Sequence, residues 1–317
     1  MTDMQDDVFK TPVNKIRLFE HGAPGSQNLK LTRKYYTEDM PDGRVKHIVQ
    51  NITDPDIVPY IPDGIGNSTD RQRIPAVLII PGGAFRRLVY NFEGEDVATW
   101  LNSMGIAAFV LECRLPSDEH DNAEDVPLID AMRAMRVIRG RAQEFGIDEA
   151  KIGVMGFSAG GFMAALLSTA YESDVYADYK YKDEYDKLSA RPDFAVCSYP
   201  VISIDDCIEA GKRYMSEEQV LERISDSKAK ILHKYNPDKL VRPDMPPVFI
   251  CETDDDRTTL SENSVGFYMA ARKAGVSAEL HIFRTGGHGY GCGDDFAQTG
   301  EWKVLFTKWI KSIGIIS

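Results

Sequence analysis

One hexapeptide, Gly156-Phe157-Ser158-Ala159-Gly160-Gly161, constrains this chain more than any other stretch. Before it, Lys151 to Met155 is a short, mostly apolar run of strand type; after it, Phe162 to Leu167 is rich in helix formers. A serine at a tight strand-to-helix turn is forced into a strained backbone conformation. Glycines two residues to either side remove the Cβ atoms that would clash there. The hydroxyl is thereby pushed out at the top of a sheet. The helix that follows aims its free N–H groups and the positive end of its dipole at the same spot. The plainer reading is a glycine-rich turn whose serine only caps the helix. The flanking elements, and the partners found below, weigh against it. Ser158 is read as a nucleophile.

Length and composition set the bounds. The 317 residues allow one large α/β domain or two small ones, and a core that needs no staples. A formal net charge of −12 argues against a nucleic-acid or anionic-membrane surface. The five cysteines, Cys113, Cys197, Cys207, Cys251 and Cys292, form no C-x-x-C pair, so neither a disulfide framework nor a zinc site is expected. The first seven residues are polar and acidic, without the apolar stretch of a secretory signal. No run approaches the ~20 apolar residues that span a bilayer. A cytoplasmic location is expected, and the sequons at Asn51 and Asn67 are then chance matches.

Read in order, residues 1 to 12 form a polar lead-in, and strands are expected at Lys15 to Glu20 and Val45 to Ile52; Leu29 to Tyr36 is ambiguous. Pro55 to Arg73 is rich in Pro, Gly, Asp and Asn and is expected to be a loop. Buried-type strands are expected at Ala76 to Ile80, Ile106 to Leu111, Phe194 to Tyr199, Pro247 to Cys251 and Ala278 to Phe283. Helical spacing marks Glu95 to Met104, a helix from about Val126, Glu262 to Ala274 and Glu301 to Ile313. Ser117 to Asp125 reads as a solvated acidic loop in preference to a metal site. Residues 203 to 240, charged and without strand signal, are expected to form a small helical cap insertion. Strands alternating with helices imply an α/β protein with a mostly parallel, doubly wound sheet. The division expected is 1–73 as an extension of strands and loop, and 74–317 as the catalytic domain carrying the cap.

A serine hydroxyl needs a base within hydrogen-bond reach and a third group to orient that base. Of the six histidines, His288 is set apart by Gly286-Gly287-His288-Gly289, directly after the last strand. That position is the carboxyl edge, where ligands bind in such sheets. The acid is sought after an earlier strand, in Glu252-Thr253-Asp254-Asp255-Asp256. Counting from the strand does not choose among the three aspartates. For the oxyanion, the N–H of Ala159 and that of Gly82 or Gly83 are the expected donors. Each such donor is typically worth ~2.7 to 4 kcal/mol in the transition state.

Over roughly residues 74 to 315 the chain resembles an α/β-hydrolase of the esterase/lipase superfamily, and within it the acetyl-xylan-esterase-like branch related to dienelactone hydrolases. Pro81 to Phe85, Glu93-Gly94, Gly105 to Leu111, the Ser158 turn, Glu262-Asn263-Ser264 and Gly286 to Gly289 carry the likeness. It implies a triad in the chain order Ser, Asp, His, no metal or organic cofactor, and deacylation of small carboxylic esters such as O-acetyl groups on sugars. It also favours Asp256 as the acid, because Ser264 lies eight positions on, where related esterases begin a helix with small residues. Two departures stand out: Pro81 replaces the first residue of the H-G-G-G type, and Thr259-Leu260 replaces a common V-P. A peptidase of the prolyl-oligopeptidase type shares the triad order, but the ~75 residues before the core cannot hold a propeller. A catalytically dead receptor would be expected to lose the base or the nucleophile, and both are present. The expected partner is a small-molecule ester, with homo-oligomerisation left open.

Overall fold

The computed structural model describes residue 9 and residues 12–64, 73–216, 218–220, 227–293 and 298–317. Most of the polar lead-in, the Asn67 sequon and parts of the cap, at 217 and 221–226, lie outside the described residues. The strands are β1 (Ile16–Arg17), β2 (Lys34–Asp39), β3 (Val45–Gln50), β4 (Asp56–Tyr60), β5 (Ile74–Ile80), β6 (Leu88–Val89), β7 (Ala107–Glu112), β8 (Ile147–Phe157), β9 (Ala195–Ser198), β10 (Val248–Thr253) and β11 (Ala278–Phe283). The helices are α1 (Asp96–Ser103), α2 (Val126–Gly140), α3 (Ala142–Phe145), α4 (Ala159–Ala170), α5 (Ile204–Tyr214), α6 (Ser227–Lys234), α7 (Ser261–Lys273) and α8 (Trp302–Ser312).

Eight strands form one sheet in the order β1-β4-β7-β5-β8-β9-β10-β11. From β7 to β11 every pairing is parallel, while β4 and β1 join antiparallel at one edge. Strands covered on both faces should read as unbroken apolar runs, and Ala76 to Ile80 in β5 are all buried. Trp100 of α1 and Trp302 of α8 meet edge to face at 5.0 Å, and Trp309 packs on Phe249 of β10 at 5.5 Å. This is the α/β-hydrolase fold. Helices α5 and α6 occupy the segment expected to be a cap.

The chain leaves β5 toward β7 on one side and returns to β8 on the other. The crevice outside the carboxyl ends of β5 and β8 is therefore a topological switch point, the place where such sheets bind ligands. A second, three-stranded antiparallel sheet, β2-β3-β6, is braced against the segment after β5.

Two expectations fail. The stretch from Pro55 is not all loop, because Asp56–Tyr60 forms β4 with Ile57 and Val58 buried. Pro59 is tolerated because β1 pairs only with Asp56 and Ile57, leaving Pro59 on an open edge. The acidic loop at 117–125 is not simply solvated. His120 and Asp125 are buried, with Ser26 Oγ 3.0 Å from His120 Nδ1 and Lys234 Nζ donating to Asp125 at 2.7 Å.

Candidate active site

Ser158 stands between the end of β8 and the start of α4, with φ 54° and ψ −117°. The strain is held in place by close backbone packing. A Cβ on Gly156 would lie 1.9 Å from the Gly160 carbonyl oxygen, and one on Gly160 would lie 1.9 Å from that of Ile80. Only hydrogen fits at either position. The Ser158 N–H donates to Ser198 O at 3.0 Å, and its own carbonyl accepts from Phe162 N–H at 3.0 Å. The turn is thus pinned to β9 on one side and to its helix on the other.

Ser158 Oγ lies 2.8 Å from His288 Nε2. On the other side of the ring, His288 Nδ1 lies 2.6 Å from Asp256 Oδ2. The loop Gly286 to Gly291 brings the histidine back across the sheet edge. Gly286 at φ 155° leaves no room for a Cβ, which would meet Thr299 Cγ2 at 2.3 Å. Of the three aspartates, Asp256 meets the imidazole, while Asp255 accepts the Gly287 N–H at 2.8 Å. Asp256 is further held by the N–H groups of Thr258 at 2.6 Å and Thr259 at 2.9 Å, and by the Thr259 hydroxyl at 2.9 Å. Thr259, one of the two departures from the family pattern, therefore supplies two of those bonds. Burial pushes the Asp256 carboxyl up, but the imidazole and the two amides hold it below the usual carboxylate range.

The segment after β5 passes close over the serine, since a Cβ on Gly82 would come within 3.0 Å of Ser158 Cβ. Gly82 cannot serve as the free donor expected of it. Its N–H already donates to Glu93 Oε2 at 2.8 Å. The Gly83 N–H has no hydrogen-bond partner among the described residues. Ala159 opens α4, where the N–H has no intrahelical acceptor. Of the expected donors, Gly83 and Ala159 are thus the two whose N–H groups have no acceptor among the described residues.

Sequence reasoning missed Glu93 and Tyr199 as site residues. Both are buried, and the Tyr199 hydroxyl donates to Glu93 Oε1 at 2.9 Å while accepting the Gly291 N–H at 3.0 Å. The Tyr199 ring stands edge-on to His288 at 5.0 Å. The available signals were Glu93-Gly94 among the family-like segments and a tyrosine ending the apolar run before Pro200. Burial pushes the Glu93 carboxyl up, partly countered by the nearby His288 and by Tyr199 and Gly82. Behind Asp256, the buried Glu252 is pushed well above its usual range by burial and by the Asp256 charge, and Ser264 donates to it at 3.2 Å.

The sequence matches the BD-FAE family over residues 65–270. The chain belongs to that family. By sequence the chain is similar to an acetylxylan esterase of Xylanibacter ruminicola, 31% identical over 240 residues, which cover 75% of this chain and 45% of that protein. An endo-1,4-beta-xylanase B of Butyrivibrio fibrisolvens is 31% identical over 227 residues, covering 71% of this chain and 34% of that protein. The chain thus spans less than half the length of these two relatives. A solved structure, the acetyl ester-xyloside bifunctional hydrolase from Caldicellulosiruptor lactoaceticus, superposes with a TM-score of 0.70 at 34% identity, covering 96% of this chain and 97% of that one. These relationships place the chain in the α/β-hydrolase superfamily.

The remaining described histidines lie elsewhere: His21 against Tyr181 at 4.8 Å, His47 stacked on Phe9 at 4.6 Å, His120 beside Ser26, His233 in α6 and His281 on Glu279 at 2.7 Å. No helix among the described residues is long and apolar enough to cross a membrane.

Proposed function

We propose that this chain is a serine carboxylesterase that removes short acyl groups, acetyl foremost, from small esters including O-acetylated sugars. The observation that carries the reading is the relay Ser158 Oγ to His288 Nε2 at 2.8 Å and His288 Nδ1 to Asp256 at 2.6 Å. Ser158 Oγ attacks the ester carbonyl while its proton passes to His288 Nε2. Gly83 and Ala159 N–H groups receive the oxyanion. Collapse expels the alcohol, which takes the proton from His288, and leaves an acyl-serine. Water then repeats the sequence: it attacks the acyl carbonyl as His288 takes its proton, the acyl–oxygen bond to Ser158 breaks as His288 returns that proton to Ser158 Oγ, and the carboxylic acid departs. Asp256 fixes the tautomer and steadies the imidazolium formed in each half.

Two points support a short acyl group. The proteins similar to this chain include an acetylxylan esterase and an acetyl ester-xyloside bifunctional hydrolase. An apolar cavity of about 10 Å³ is bordered by Gly82 and Ala159 and walled by Phe85, Leu115 and Met163. That is room for roughly one water-sized group. A panel of p-nitrophenyl esters, followed by acetylated xylo-oligosaccharides, tests the reading. Acetyl esters are expected to turn over fastest; faster turnover of octanoyl esters, or activity on peptides alone, would overturn it.

A further inference from the structure

Glu93 occupies an irregular place in the backbone. Residues Asn91–Glu95 form one π-helical turn, with Glu95 N–H donating to Tyr90 O at 2.9 Å. Such turns carry an extra residue and often re-aim a side chain at a functional site. This one is anchored to β3, because Asn91 accepts the His47 N–H at 3.0 Å and donates to Val45 O at 2.8 Å. The result is a carboxyl group turned into the protein and only 5% exposed.

A buried carboxylate is costly unless it is hydrogen-bonded and its charge is met. Both bonds to Glu93 run inward from donors. The Gly82 amide can only donate, and the Tyr199 hydroxyl, already accepting from Gly291, has its proton free for Glu93. That is the pattern an ionised carboxylate takes. The cations that reach it are Lys46 and the imidazolium that His288 becomes on taking a proton. Glu93 thereby joins the segments after β5 and β9, which carry Gly83 and Tyr199, and through the Tyr199 hydroxyl it is linked to Gly291 in the loop after β11 that carries His288.

We propose that Glu93 is a positioning residue for the hydrolysis: it holds Gly82, and with it the Gly83 amide, in register for the oxyanion, and sets a negative charge near the imidazolium that His288 becomes. This rests on the reading of Ser158 and His288 as the reacting pair. An apolar residue would fill the space without tying the oxyanion segment down. A charge at this site favours the charged imidazole over the neutral one.

The test is Glu93→Gln in the full chain, with rates normalised to the fraction labelled by a fluorophosphonate. Labelling at Ser158 is expected to persist, with kcat down about 10-fold or more and KM within about 3-fold. The acid limb of the kcat/KM profile should move to lower pH, because the imidazole loses the charge that favours its protonated form. A wild-type kcat, or a loss with the acid limb unmoved, would overturn the proposal. A label that maps to another residue in both proteins would instead sink the Ser158 reading beneath it. If Glu93→Gln does not fold, Tyr199→Phe gives the same reading through one link. It keeps the Gly82 bond but removes the donor that holds the other carboxylate oxygen. Its kcat should fall about 3-fold or more with KM within about 3-fold; an unchanged kcat, or a loss carried by KM alone, would count against the proposal.

Discussion

Asp256 Oδ2 stands 2.6 Å from His288 Nδ1, and the residue just before it, Asp255, braces the same loop from a different point, the Gly287 N–H at 2.8 Å. Two adjacent carboxylates thus hold one histidine loop, one by its ring and the other by its backbone. Asp256→Asn puts an amide where the Nδ1 proton needs an acceptor and favours the wrong tautomer. It is expected to cut kcat by at least ~10² with the fold intact. Asp255→Asn keeps an oxygen for Gly287 and is expected to cost much less. Steady-state kinetics on both variants decide it, and the reverse ranking would move the acid to Asp255.

Gly160→Ala is expected to be severe. The added Cβ would lie 1.9 Å from Ile80 O, backbone against backbone, so neither side can yield by rotating a side chain. Overpacking of this kind commonly costs ~1 to 3 kcal/mol or more. Thermal unfolding should show a clear drop, with activity lost at temperatures where the wild type is folded. Gly266→Ala, in α7 with open space around it, is the control that should leave both nearly unchanged.

Much of this arrangement was legible in the chain. The order of apolar runs gave the parallel sheet, because strands buried on both faces have no polar side to hide the signal. The Ser158 turn was legible because its glycines have one steric reason to be there. What escaped was polar and non-local. Glu93 is one acidic residue among 49 acidic positions, and nothing local says that a π-turn will point it inward. The Gly82 amide could not be known to be occupied without Glu93. Strand β4 was hidden by Pro59, whose meaning depends on a neighbouring strand ending early. His120 looked solvated amid acidic residues, yet contacts with Ser26, distant in sequence, bury it.

Burial, with Arg114 nearby, pushes His120 down to about 4 from the ordinary value of 6.5. The unfolded chain takes up a proton near 6.5 and the folded chain resists until about 4. The His120 contribution to stability is therefore complete above that upper value and is lost as pH falls toward the lower one. At pH 5 the loss attributable to His120 is about 2 kcal/mol. Asp56 and Asp118, both pushed up to about 6 chiefly by burial, act in the opposite sense. The informative quantity is thus a difference between proteins: the stability lost from pH 7 to pH 5 should be about 2 kcal/mol smaller in His120→Gln than in wild type. Equal losses in denaturant unfolding would show that His120 does not resist protonation.

Met163, buried in α4, walls the small cavity beside Ala159. Met163→Ala should widen it and raise the butyryl-to-acetyl ratio of kcat/KM by about 10-fold, the scale of one or two methylenes in an apolar pocket. An unchanged ratio in a folded variant would place the acyl group elsewhere.

The most direct test of the central claim is to trap the nucleophile itself. Wild-type protein is treated with a fluorophosphonate and digested, and the modified residue is located by mass spectrometry. One adduct is expected, on Ser158, absent from Ser158→Ala and suppressed by prior incubation with excess acetyl ester. An adduct on another serine, or undiminished ester hydrolysis by Ser158→Ala, would contradict the account.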